Sequence, residues 1–251
     1  MKKIQNAYDK KHFYNEYKAM KYNKINANEL IEMPTIKTML PNLDNLKIID
    51  LGCGNGTMSK FFIDNGAKKV LALDVSKNMI NEAKENNYHH SIIYDVLPME
   101  KLNTIKEKFD LAYSSLAFHY IEDFDKLIKD INHLLNDDGM IVFSQEHPLN
   151  TATIMIDDLD NKIEIHGKRY YYLSDYNNNS KRVLNWNNEK VIKYHRNFSS
   201  LINTLIENGF EILQIKESNA TNDIVKIVDK YKYQIDRPYF IFIKAKKNKE
   251  H

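Results

Sequence analysis

The chain has 251 residues, a single cysteine, and 36 basic against 34 acidic residues for a formal net charge of +2. One cysteine excludes an internal disulfide framework and points to a reducing, cytoplasmic setting. Charges this evenly mixed lack the basic stripe of a nucleic-acid binder, and neither a bilayer-spanning apolar run nor a secretory signal is expected.

In the first 45 residues, Tyr8, Phe13, Tyr14, Tyr17 and Tyr22 are the bulky positions of one or two amphipathic helices. From 46 to 148, short apolar runs alternate with helical patterns, which predicts βαβ units and a parallel sheet. The first run, 46–51, feeds a glycine-rich turn and a helix over 57–65 that Gly66 stops. The second, 70–75, is followed by Ser76, a good N-cap for a helix carrying Met79, Ile80 and Ala83. The third covers 91–96 and the fourth 109–114. Beyond the fourth, Phe124, Leu127, Ile128, Ile131, Leu134 and Leu135 recur at helical spacing. Asp138-Gly139 then turns the chain into a fifth run, 140–144. The stretch 150–197 has no helical period and holds Tyr170 to Tyr172, an Asn177 to Asn179 turn and the only tryptophan, Trp186. It reads as inserted short strands and loops, placed where α/β proteins carry recognition elements. A helix over 198–208, with His195-Arg196 at its start, leads to two final strands, 210–215 and 239–245. The expected organisation is lid helices over 1–45, an α/β core over 46–149, an inserted substrate cap over 150–197, and completion of the core over 198–251.

The turn Asp50-Leu51-Gly52-Cys53-Gly54-Asn55-Gly56 follows a strand and opens a helix. Glycine suits a tight turn that a ligand must approach closely. Asp74 ends the next strand, 22 positions beyond Gly52, where a carboxylate can accept from ribose hydroxyls. A dinucleotide site would read GxGxxG and aim a helix N-terminus at a pyrophosphate. Here the third glycine comes one residue early and Asp50 stands beside the loop. A carboxylate there favours a cationic ligand, and S-adenosylmethionine (SAM) carries a sulfonium and an amino group but no phosphate.

On the residues IIDLGCGNG (48–56), LALDVS (71–76), Asp95, FDLAYSSLAFHYIEDF (109–124) and LNDDGMIVFSQEHP (135–148), the chain resembles the class I SAM-dependent methyltransferases over nearly its whole length. Glu146-His147-Pro148 and Lys193-Tyr194-His195-Arg196 look like a bacterial subgroup acting on small molecules. The resemblance implies a Rossmann-like, mostly parallel seven-stranded sheet of order 3-2-1-4-5-7-6, flanked by helices. It also implies roles. Gly52, Cys53, Gly54 and Gly56 would form the cofactor turn, and Asp50 would hold the cofactor's amino end. Asp74 would take the ribose, with Val75 and Met79 on the adenine. Asp95 would accept from the adenine amino group beside Val96, and Ser114 or Ser115 would lie below the methionine moiety. Tyr14 and Lys21 would be lid contacts, Lys21 toward the cofactor carboxylate. S-adenosylhomocysteine would be the product.

SAM supplies an activated methyl, so alignment is the protein's main task. A hydroxyl acceptor would add a general base, for which His119, His147 and His195 are the candidates, each equally able to serve structurally. Tyr120, Trp186 and Arg196 are candidates for contacting the acceptor; Arg196 alternatively braces the insertion. No metal-ligand spacing is present. The expected partner is a small-molecule acceptor, with the protein a monomer or homodimer and no membrane or nucleic acid involved. An RNA or protein methyltransferase, an NAD-dependent oxidoreductase and a non-catalytic SAM-binding protein are the alternatives.

Overall fold

The five apolar runs between positions 46 and 148 lie side by side as parallel strands in the computed structural model, which describes residues 6, 9, 10, 12, 14, 16, 25–154, 162–186 and 189–249. A π-type turn, Asn28–Glu32, runs into a short helix α1 (Met33–Lys37). Then follow β1 (Lys47–Leu51), α2 (Thr57–Asp64), β2 (Lys69–Asp74), α3 (Lys77–Asn86), β3 (Ile92–Val96), β4 (Phe109–Ser115), α4 (Phe124–Leu134), β5 (Leu135–Glu146) and α5 (Pro148–Thr151). Two hairpins come next, β6 (Lys162–Ile165) with β7 (Lys168–Tyr171), and β8 (Lys181–Trp186) with β9 (Glu189–Tyr194). The chain ends with α6 (Phe198–Glu207), β10 (Phe210–Glu217), α7 (Asn222–Ile227) and β11 (Phe240–Lys247).

The large sheet runs β10-β11-β5-β4-β1-β2-β3. Counted within this sheet alone, that is the 3-2-1-4-5-7-6 order expected from the sequence. β11 is antiparallel to both its neighbours, and the other pairs are parallel. Ile48, Ile49 and Leu51 of β1 are all fully buried, because a central parallel strand is covered on both faces. One face packs on Ile36, Met39, Phe62 and Ile80, the other on Leu127, Ile128, Ile131 and Leu205. The apolar stripe read along 124–135 is the buried face of α4. Ser76 caps α3, its hydroxyl accepting the Met79 N–H.

Two details depart from the sequence reading. β5 begins at Leu135, directly after α4, because β4 and β5 slip in register between Phe109 and Leu111 and the extra residues bulge around Asp138, whose φ is 64°. His195 does not start a helix. It follows β9 at once, and α6 opens at Phe198 under Asn197, whose side chain accepts the Ser200 N–H. Tyr8, Phe13, Tyr17, Tyr22 and Lys21 lie outside the described residues. Among the described residues, no helix is long and apolar enough to cross a membrane.

An isolated two-stranded hairpin is marginal in water, and the β8–β9 hairpin is tied by buried Arg182 to the chain just after α5 and to the loop before β8. Its guanidinium donates to the carbonyls of Ala152 (2.6 and 2.9 Å) and Asn178 (3.0 Å). β9 packs against the short turn Phe118–Tyr120 after β4.

Candidate active site

β1 delivers the chain into the glycine turn, and the N–H groups of Gly52 and Cys53 both donate to the Leu73 carbonyl of β2, at 2.8 and 2.9 Å. Gly52 has φ +75°, and a Cβ there would come within 2.7 Å of the Ala117 Cβ. Both the backbone conformation and the close approach therefore demand glycine. Asp50 is buried and accepts from Ser59 Oγ at 2.6 Å. Asp74 stands at the end of β2 with Oδ2 accepting the Gly54 N–H (3.0 Å) and Oδ1 the Ser76 N–H (2.8 Å).

A cavity of about 570 Å³ opens over this turn. Asp50, Gly52, Cys53, Gly54, Asp74, Val75 and Met79 line it. The wall continues through the loop after β4, including Ala117, His119 and Tyr120, to Glu146 of β5, Leu184 of β8, Val191 and Lys193 of β9, and Phe240 of β11.

Other expected residues sit elsewhere. Gly56 lies under Tyr94, with a built Cβ 2.5 Å from the phenol oxygen. Ser114 Oγ donates to the Leu51 carbonyl, and its neighbour Ser115 faces the cavity, since adjacent strand residues point to opposite faces. Asp95 is exposed and accepts the Val96 N–H, Val96 is exposed too, and the wall passes instead through Leu97, Pro98, Met99 and Glu100. Tyr14 donates to Glu82, which also receives Asn55 of the turn, so Tyr14 reaches the site at second hand. The Trp186 backbone pairs with Glu189 at the hairpin tip, and the Trp186 side chain, like Lys21, lies outside the described residues.

The three histidines separate. His147 caps α5, its Nδ1 accepting the Leu149 N–H (3.1 Å) and its Nε2 meeting Glu217 (2.8 Å). His195 Nε2 donates to the Tyr176 carbonyl (2.9 Å), and Nδ1 accepts from Thr151 (2.8 Å). Only His119 of the three lines the cavity. Its Nδ1 accepts the Glu146 N–H at 3.4 Å. Arg196 is a brace and not part of the wall. Its guanidinium donates to the carbonyls of Phe118, Ile121, Glu122 and Tyr194, which holds the turn carrying His119 and Tyr120. The pair Glu146–Lys193 was not singled out for a role from the sequence. The one local signal for Lys193 is its alternation with Val191, which puts both on one face of β9.

Burial pushes the Glu146 carboxyl up, but Lys193 at 2.5 Å outweighs it and holds the group below the usual carboxylate range. Burial likewise drives the His119 pKa down to about 3, against the pull of Glu146. The unfolded chain binds this proton near 6.5. Between those values the unfolded state holds more protons, so the stability from neutral His119 is complete above about pH 6.5 and is lost as pH falls toward 3. One such group contributes at most about 1.4 kcal/mol per pH unit; His147 and His195, also lowered by burial, act in the same direction. Urea unfolding near pH 7.5 and near pH 5 should show lower stability in acid, and His119→Gln should shrink the difference by about 2 kcal/mol. An undiminished difference in that variant would uncouple His119 protonation from folding.

Among the described residues, no group of three or more His, Cys, Asp or Glu is arranged to hold a metal ion. Residues 49–143 match the family model described as Methyltransferase domain. An uncharacterized Haemophilus influenzae protein is 36% identical over 250 residues, covering 96% of each chain. The solved structure of a Mesorhizobium loti S-adenosylmethionine dependent methyltransferase superimposes with a TM-score of 0.79 at 32% identity, over 88% of this chain and 98% of that one. A Listeria monocytogenes structure gives 0.76 at 32% identity, over 87% and 97%.

Proposed function

This chain belongs to the class I S-adenosylmethionine-dependent methyltransferases, and from that premise we propose that it methylates an oxygen or nitrogen of a small molecule held under the β8–β9 hairpin. The observation that carries this reading is the single cavity joining the glycine turn to the polar group of His119, Tyr120, Glu146 and Lys193. Its volume of about 570 Å³ is that of a small-ligand site.

The residues present fit SAM. The turn offers bare backbone at Gly52 and Gly54, and the wall beside it carries the carboxylates of Asp50 and Asp74, which suit a cationic ligand better than a pyrophosphate. Asp50 would hold the amino end. Asp74 would take the ribose hydroxyls, since each carboxylate oxygen can accept more than one hydrogen bond. Val75 and Met79 would flank the adenine, with Leu97 to Glu100 closing that side. When bound, SAM supplies a methyl group activated by its sulfonium.

The rest falls to this chain's own side chains. Leu184, Val191 and Phe240 shield the cavity from water, which protects a charged electrophile and strengthens polar contacts inside. His119 and Tyr120, on the turn braced by Arg196, orient the acceptor, and fixing a near-attack geometry can supply several kcal/mol of the barrier.

Thermal unfolding alone and with SAM, S-adenosylhomocysteine or NAD tests the reading. A ligand at about 100 times its dissociation constant adds about 2.7 kcal/mol, so both adenosyl ligands should raise the midpoint and NAD should not. Stabilisation by NAD alone would replace this proposal with an oxidoreductase.

A further inference from the structure

Lys193 is 8% exposed yet faces the cavity, and its Nζ lies 2.5 Å from Oε1 of Glu146, the last residue of β5. The Tyr120 ring centroid is 6.0 Å from the same Nζ, and His119 completes the group through its bond from the Glu146 N–H. The wall around them is apolar: Ile121, Leu184, Val191 and Phe240. A buried ion pair contributes little to stability beyond what apolar side chains of the same volume would give. An ammonium and a carboxylate facing a cavity are better explained by what the cavity receives.

Hydrogen bonding decides what that is. With Nδ1 of His119 occupied as an acceptor, its proton resides on Nε2, so that nitrogen donates. The Lys193 ammonium has three donors and can serve Glu146 and a second oxygen together. His147 and His195 lie outside the wall, engaged with Glu217 and with Thr151 and Tyr176. The group thus offers an ammonium and an N–H to a ligand oxygen, and no imidazole nitrogen to take a proton from it; the carboxylate beside them, Glu146, is engaged by Lys193 and held below the usual carboxylate range, which makes it a poor base. A neutral hydroxyl must lose its proton as its oxygen is methylated. A carboxylate has none to lose, whereas an alkylammonium would have to lose one beside Lys193.

We infer that, given the methyl-transfer reading above, the acceptor is an organic acid whose ionised carboxylate lies against Lys193 and His119 and is converted to its methyl ester. One carboxylate oxygen forms the bond to the methyl carbon, the carbon–sulfur bond breaks with its electron pair passing to sulfur, and no proton moves. The negative charge of the acid and the positive charge of the sulfonium are neutralised together.

The test incubates the full chain with methyl-labelled SAM and a set of aliphatic and aromatic carboxylic acids, with their matched alcohols and amines. Alkali releases label from a methyl ester as volatile methanol and leaves ethers and N-methyl groups intact. The same compounds are assayed for raising the unfolding midpoint of the S-adenosylhomocysteine complex, where no transfer occurs. Acids should raise that midpoint and yield alkali-volatile label. Lys193→Met should weaken both by about 30-fold or more while SAM still stabilises the protein. Because that variant leaves Glu146 buried without its ammonium, Lys193→Met combined with Glu146→Gln removes the pair as a neutral unit, and it should fold and show the same loss. Alkali-stable label, stabilisation by alcohols or amines alone, or no response to any acid overturns the inference and leaves methyl transfer standing. Failure of SAM to stabilise the unmodified chain overturns methyl transfer itself.

Discussion

Replacing Arg196 by alanine should lower the unfolding midpoint by about 6–12 °C. Its guanidinium is buried, lies 4.7 Å from the Phe124 ring centroid and donates to four main-chain carbonyls, those of Phe118, Ile121, Glu122 and Tyr194. Burial lowers its pKa to about 10, which still leaves it charged at neutral pH. Truncation removes charge-assisted bonds and strands buried carbonyls, a loss of about 3 kcal/mol, and a chain of this length moves by about 2–4 °C per kcal/mol. Arg196→Lys should recover only part, because an ammonium cannot span the carbonyls as a planar fork does. Arg169 is the control: its contact with Glu164 is at the surface, so Arg169→Ala should leave the midpoint within about 2 °C of the parent. A midpoint for Arg196→Ala within about 2 °C of the parent would mean that the 118–122 turn is held by other contacts.

Arg196 also marks where the sequence stops being informative. β1 and the glycine turn were legible because their causes are local: Ile48, Ile49 and Leu51 are apolar since both faces of β1 are covered, and Gly52 is glycine since its φ is positive and Ala117 presses on it. The buried stripe of α4 was legible for the same kind of reason, a 3.6-residue period written along one segment. The direction of His195 and Arg196 depends instead on Thr151, Tyr176, Phe118 and Ile121, distant in sequence, and no local pattern encodes those partners. Ser114 and Ser115 differ by one step across the pleat, so placing one of them in the cavity requires the strand's facing and not only its position. Glu146 and Lys193 meet because the β8–β9 hairpin packs against the turn after β4, a tertiary contact distant in sequence. Leu97 to Glu100 enter the wall by a short 3-10 turn after β3 that has too little length to show a period.

The second large effect is on cofactor binding. Asp74→Ala should weaken S-adenosylhomocysteine by about 100-fold, read by titration calorimetry, and at fixed ligand should erase most of the midpoint rise. The Asp74 carboxylate holds two backbone N–H groups, those of Gly54 and Ser76, so it also fixes the turn. Losing it therefore removes the acceptor proposed for the ribose hydroxyls and loosens the backbone on which the cofactor would rest. Two charge-assisted hydrogen bonds at about 1.5 kcal/mol each correspond to that factor. The ligand-free protein should lose about 1–2 kcal/mol through the freed N–H groups, which the surface position partly rehydrates. Asp74→Asn keeps one acceptor oxygen and should fall between, near 10-fold. Asp95 provides the contrast, since its exposed carboxylate contacts only the Val96 N–H and lies outside the cavity wall. Asp95→Ala should change affinity by less than about threefold, an effect below 1 kcal/mol. If instead Asp95→Ala destroys binding while Asp74→Ala spares it, the adenosyl end of the ligand lies along β3 and not against the carboxylate that ends β2.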